Sequence, residues 1–341
     1  MRSAEGPHGS RVAVVADVGR NTIRLGLTDD RGRLRRDTVR AYDYKTQTTV
    51  SGAITAFGRD CALGKLPNRC AIAVSGVPRG DVISVTHSRW IVSRSGLAGM
   101  LQGQPLILND FAANAWAISS PQCSGRSEAL TPRPVKAHDV GAFCIIGVGS
   151  GLGVALLSRD EHGIVSVTPS ESGHTNFISG LPGAAPILDI VGARTGYVTA
   201  EMLLSGPGLM AIYMAIAKLR GLTPRAQSLG ELLDGGSKTH DPVAFEAFSF
   251  FGRAFWHFAG NMCLAYGAWD GVIITGSVAA AMRRVLGSSD MAQHFIINGP
   301  FRRRLMDIPR SIVTFEHAEL EGAAVALLMD DARRSVRPLA A

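Results

Sequence analysis

VAVVADVGRNTIRLGL, residues 12–27, is the stretch from which the fold of this chain can be read. The apolar run 12–16 ends at Asp17, a connection containing Gly19 follows, and 23–27 is apolar again. Two such runs joined by so short a turn predict a β-hairpin. A third strand is expected at 38–42, a helix over 50–62, and strands at 70–74 and 106–108. The last of these runs straight into Asn109 and Asp110 and a helix through 118. A hairpin followed by alternating strands and helices predicts an α/β lobe.

The same plan returns in the middle of the chain. Strand 143–146 enters the turn GVGSGLG, residues 147–153, and 154–157 leaves it as a second strand. The repetition reads as a weak internal duplication at domain scale. Between the two copies, 119–139 shifts to Ser, Pro, Arg and Gly, a linker or surface loop. Helices are expected at 208–219 and 242–268. In the latter, Phe245, Phe248, Phe251, Phe255, Phe258 and Met262 recur every three or four residues, a stripe read as core packing. A strand at 272–274 ends at Gly276-Ser277, another follows at 312–315, and an apolar helix at 320–329 closes the pattern. The expected organisation is a disordered leader (1–10), a small domain (11–119, completed by a helix at about 315–333), a larger domain (120–314) and a basic tail (334–341).

Composition narrows the class. With 341 residues and 46% hydrophobic content, two lobes with sizeable cores are affordable. No apolar run reaches the roughly 18 residues of a membrane helix, and 1–10 lacks the apolar stretch of a signal peptide. Cys61, Cys70, Cys123, Cys144 and Cys263 form no CxxC pair, which suits reduced thiols in the cytoplasm. The net charge of +7 sits partly in short clusters, Arg302–Arg304 among them, without interleaved aromatics. Solvated faces are favoured over nucleic-acid binding.

Several polar residues stand out. Asp110 ends a buried strand at a helix start, where a lone aspartate is ordinarily a cap. A functional role requires other polar groups aimed at the same point. Asn109 is adjacent, and Glu171, His174 and Glu201 are available further along. A sugar calls for such a set, because each hydroxyl both donates and accepts and a carboxylate can accept from two neighbours. The glycines of 147–153 permit close backbone approach to phosphates.

In order and spacing, 12–27, 106–118, 147–156, 171–177, 201–209, 272–278 and the final helix resemble the bacterial glucokinases. The resemblance implies a two-lobed actin-like ATPase (ribonuclease H-like) α/β fold, a smaller and a larger domain about a cleft. It implies ATP-dependent phosphorylation of glucose, or a similar hexose, at its 6-hydroxyl, with Asp110 as general base. Asn109, Asp110, Glu171, His174 and Glu201 correspond to the sugar-binding residues. Ala16, Asp17, Val18, Gly19, Arg20, Asn21, Gly149, Ser150, Gly151, Gly276 and Ser277 correspond to the ATP-binding ones. Mg²⁺ is expected near Asp17, through water, and a homodimer is compatible by resemblance alone.

The chain also departs from that family. Ser172 stands for the first of two adjacent glycines in the sugar loop, Asn176 for an aspartate, and Ser277 for a second glycine. In the first phosphate loop Arg20 and Asn21 replace a glycine and a threonine, with Thr22 one place late. Arg20 admits three readings: a bidentate phosphate contact, a side chain filling the nucleotide's space, or one turned to solvent. The rival functions are therefore an impaired or non-catalytic sugar-binding protein and a kinase for another hexose.

Overall fold

The computed structural model describes residues 11–86, 88–177, 180–235, 241–296 and 299–336. The leader expected over 1–10 and the end of the tail expected over 334–341 lie outside the described residues. The chain divides into two compact units: the segment up to Ser120 together with that from Glu316, and Pro121–Phe315.

The first unit opens with the hairpin β1 (Val14–Val18) and β2 (Thr22–Thr28), followed by β3 (Leu34–Asp43). Helix α1 (Val50–Asp60) is capped by the Thr49 hydroxyl, which accepts from the Gly52 amide. β4 (Cys70–Val74), the small ribbon β5 (Val82–Ser84) and β6 (Ile91–Ser93), α2 (Arg94–Leu101), β7 (Leu106–Asn109) and α3 (Asp110–Ser119) complete the run. The sheet order is β3-β2-β1-β4-β7, antiparallel through the first three strands and parallel from β1 to β7. Val14, Ala16 and Val18 alternate into a core with Ile54, Phe57 and Trp90. Each large side chain buried there contributes about 1.5–3 kcal/mol.

The C-terminal helix (Ala318–Val336) packs back onto α3. Gly322 makes this possible: a Cβ there would lie 1.7 Å from the Ala113 carbonyl oxygen. The two backbones come closer than any side chain allows.

The second unit repeats the plan. After β8 (Ser127–Ala129) come β9 (Gly141–Val148), β10 (Leu152–Arg159) and β11 (Val165–Ser170). Helices α4 (Ala185–Gly192), α5 (Gly206–Leu219), α6 (Leu229–Gly235) and α7 (Pro242–Tyr266) follow, then β12 (Gly271–Thr275), α8 (Ser277–Ala281) and β13 (Arg310–Val313). The sheet order β11-β10-β9-β12-β13 matches that of the first unit, with β8 added beside β13. The expected duplication is therefore present in topology.

Two expectations need correction. The stretch expected to be loop, 119–139, contains a 3₁₀ turn (Pro121–Arg126) and β8, which pairs antiparallel with β13. The stripe on α7 is core at Phe251, Phe255 and Phe258, but Phe245 is 74% exposed. At 100° per residue Phe245 lies about 120° round the helix from Phe251. Val243, Ala244 and Ala247 take the buried face in that first turn.

Candidate active site

The sequence-predicted residues fall into two groups, one on each unit. In the first unit Asp17 and Arg24 are cross-strand partners in the β1–β2 hairpin. That register puts the guanidinium on the carboxylate: Arg24 Nε and Nη2 donate to Asp17 Oδ2 at 2.8 and 2.5 Å. Arg24 Nη2 also donates to Glu319 Oε2 of the C-terminal helix at 3.2 Å. Asn114 Nδ2 donates to Glu319 Oε1 at 3.4 Å. Asp17 is only 4% exposed. Burial, with the Glu319 and Asp110 carboxylates, pushes its pKa from 3.8 up to about 7 against the opposing pull of Arg24. Ala16 and Val18 turn their side chains into the core, so only their backbones face elsewhere.

The hairpin turn closes with the Gly19 amide donating to the Thr22 carbonyl at 3.1 Å. Neither Arg20 nor Asn21 adopts a left-handed backbone, so the turn forms without the glycine that the resemblance leads one to expect at 20. Arg20 is exposed.

Asp110 begins α3, but the capping is done by Asn109. Its Oδ1 accepts from the Phe111 and Ala112 amides at 2.9 and 3.0 Å, and its Nδ2 donates to the Gly76 carbonyl at 3.2 Å. The Asp110 carboxylate accepts from Ser75 Oγ at 2.5 Å and from the Phe111 amide at 2.7 Å, which fixes its orientation.

In the second unit Glu171 and His174 lie on one 3₁₀ turn (Ser172–His174), with Oε2 and Nε2 3.8 Å apart. Their side chains are 57% and 53% exposed. Glu201 joins them from the other side: its amide donates to the Gly173 carbonyl at 2.8 Å, and its Oε2 accepts from the Leu152 amide at 2.9 Å. Gly173 is required by the packing, since a Cβ there would lie 2.3 Å from the Leu152 carbonyl oxygen. Three predicted sugar-binding residues thus share one neighbourhood.

The glycine turns of this unit also meet. Gly149, Ser150 and Gly151 connect β9 to β10, with the Gly149 amide donating to the Gly151 carbonyl at 3.0 Å. The Gly206 amide, at the start of α5, donates to the Gly149 carbonyl at 2.8 Å. Gly276, at φ 102°, passes so close to Val148 that a Cβ would lie 2.3 Å from its carbonyl oxygen. A Cβ built on Gly149 would stand 3.8 Å from Ser277 Oγ. The ATP-binding residues expected in this unit are therefore neighbours.

Sequence reasoning did not find Ser75, Asn114, Glu319, Ser170 or Tyr266. Only the Asp17–Arg24 pair carried a signal, the register of a short hairpin.

Two sheets that share one five-strand order, each with an antiparallel hairpin beside its parallel strands, place the protein in the actin-like ATPase fold class. A family model described as glucokinase matches residues 14–330. A glucokinase of Stenotrophomonas maltophilia (strain R551-3) is 32% identical over 327 residues, covering 92% of this chain and 94% of that one. Among solved structures, glucokinase from an Antarctic psychrotroph superposes with TM-score 0.78 at 24% identity, over 93% of this chain and 99% of its own. Glucokinase from Balamuthia mandrillaris, in complex with glucose, gives 0.76 at 19% identity, over 95% of each chain. The chain belongs to the glucokinase family, enzymes that phosphorylate glucose with ATP. Among the described residues no helix is long and apolar enough to cross a membrane.

Proposed function

We propose that this protein carries out its family's reaction, transfer of the ATP γ-phosphoryl group to the 6-hydroxyl of glucose, with Asp110 as the base. The observation that supports this role is the division of labour at α3. Asn109 does the capping, while Asp110 is held by Ser75 and Phe111 in one orientation. A carboxylate so fixed accepts the hydroxyl proton as the oxygen attacks phosphorus. Glu171, His174 and Glu201 bind the remaining hydroxyls, and Asn109 contributes the second hydrogen of its amide.

In this reading the backbones of 16–21 and, in the other unit, the Gly149–Gly151 and Gly276-Ser277 turns are the nucleotide-binding segments. No group of three or more His, Cys, Asp or Glu side chains gathers to hold a metal among the described residues. Mg²⁺ is the cofactor the reaction would require, and Asp17 is the residue that would hold it, through water. Asp17, a buried carboxylate that carries a proton up to about 7, gains from added positive charge and fits as the protein group nearest it. Held there, Mg²⁺ would supply positive charge to offset that of the phosphates. Arg24 holds Asp17 in place. Rate comes mainly from positioning and charge stabilisation. Cys61, Cys70, Cys144 and Cys263 are free thiols, which supports a cytoplasmic location; a homodimer belongs to the same proposal.

A coupled assay with ATP–Mg²⁺ and a panel of hexoses tests the reading. Glucose-dependent ADP release with stoichiometric glucose 6-phosphate, faster for glucose than for the other hexoses, is expected. Glucose binding without ADP release would overturn it.

A further inference from the structure

Ser172 stands where the family's sugar loop carries a glycine, yet its backbone does not require one, since it lies outside the left-handed region. Its side chain is buried, 9% exposed, between two turn residues that face outward. Ser172 Oγ is hydrogen-bonded to the Tyr266 hydroxyl and lies 2.9 Å from Ser170 Oγ. The Tyr266 hydroxyl donates to Ser170 Oγ at 2.7 Å, and Ser170 Oγ donates to the Val154 carbonyl at 3.2 Å. The protons balance along one line: Ser172 to Tyr266, Tyr266 to Ser170, Ser170 to the β10 backbone. Each hydroxyl then donates once, and those of Tyr266 and Ser170 each accept from the one before. Ser170 Oγ accepts in addition from the Ser172 amide at 3.3 Å.

Tyr266 is well placed to anchor such a line. It is the last residue of α7, whose C-cap Gly267 sits at φ 63° and whose body is the most aromatic part of the unit's core. Ser170 is the last residue of β11. Glu171 therefore has both chain neighbours tied to one phenol on a rigid helix, while its own carboxylate stays exposed.

We propose that Tyr266, with Ser170 and Ser172, forms a hydroxyl clamp that positions Glu171, and with it His174, for the sugar. The three are positioning residues: they act through Glu171 and do not touch the reacting atoms. The inference rests on the assignment of Glu171 as a sugar ligand. A ligand held in its bound geometry saves the ordering cost otherwise met on binding. Its loss therefore falls on sugar affinity and leaves chemistry and nucleotide binding alone.

The test compares wild type, Tyr266→Phe, Ser172→Gly, the double variant and Glu171→Gln by steady-state kinetics and glucose calorimetry. Tyr266→Phe keeps the ring and Ser172→Gly introduces a residue that fits the turn. Each is expected to raise KM and Kd for glucose roughly five- to ten-fold, the worth of one hydrogen bond. The turnover number and KM for ATP stay within about two-fold. The double variant should be no worse than the weaker single, because both break one line. Unchanged glucose affinity in Tyr266→Phe, with Glu171→Gln impaired, overturns the clamp alone. A parallel rise in KM for ATP with a fall in Tm assigns a merely structural role and overturns it too. Normal glucose affinity in Glu171→Gln removes the sugar-ligand assignment, and the clamp with it.

Discussion

The two units build polar sites from one topology by opposite means. In the first, the hairpin carries Asp17 into a place where it is 4% exposed, and an arginine shared with Glu319 offsets its charge. In the second, the backbone is pinned by Gly173, the Glu201 amide and the serine–tyrosine line, while Glu171 and His174 remain more than half exposed. A buried charge needs partners and shifts its pKa. An exposed one needs only that its backbone hold still. The first arrangement ties the charge of Asp17 to its surroundings; the second, on the proposed function, suits the capture of a neutral polyol whose hydroxyls replace water.

The contrast can be broken at its supports. The largest effect is expected from Gly322→Ala, which drives a methyl into the Ala113 carbonyl and forces the C-terminal helix off α3. A loss of about 3 kcal/mol is expected in denaturant titration. The same experiment on Gly163→Ala, which meets nothing within 4 Å but has φ +77°, should cost about 1 kcal/mol.

A smaller effect separates the two carboxylate environments by pH. Asp17 keeps its proton up to about 7 when folded but only to its ordinary 3.8 when unfolded. The native state therefore binds the extra proton between those values, and stability falls as pH rises from about 4 to 7. Asp17→Asn should flatten this decline. Melting curves of both proteins between pH 4 and 8 measure it.

Smaller still is Glu201→Gln. The amide oxygen can still receive the Leu152 N–H, so the turn survives, but the charge-assisted bonds to sugar hydroxyls proposed for Glu201 are lost. Glucose KM should rise about ten-fold with Tm unchanged. The least effect is expected from Arg20→Gly: Arg20 is exposed and its turn closes without a glycine, so KM for ATP should stay within about two-fold. A large gain in activity would show instead that Arg20 obstructs the nucleotide.

Local patterning made most of this fold legible. The hairpin, the strand at Cys70–Val74 and the alternation that follows are written in short apolar runs and turns. β8 escaped because three exposed residues, Ser-Glu-Ala, carry no apolar alternation and are held only by pairing with β13. β11 was missed because Pro169 and three polar residues mark it as an edge strand. Within the site, the residues legible in sequence belong to compact motifs. Glu319 lies 295 residues from Arg24, and Tyr266 lies 94 from Ser172, so only folding reveals either partnership. Asp110 and Asn109 were both legible, but the choice of which one caps α3 is a matter of side-chain direction that residue types do not fix.

Asp110→Asn tests the central claim most directly, because its amide oxygen still accepts from Phe111 and its NH2 can donate to Ser75 Oγ, while the proposed base is removed. Turnover of glucose with ATP–Mg²⁺ should fall by about 10²–10⁴-fold, with the glucose Kd from calorimetry within about three-fold of wild type. Turnover equal to that of wild type would contradict the account.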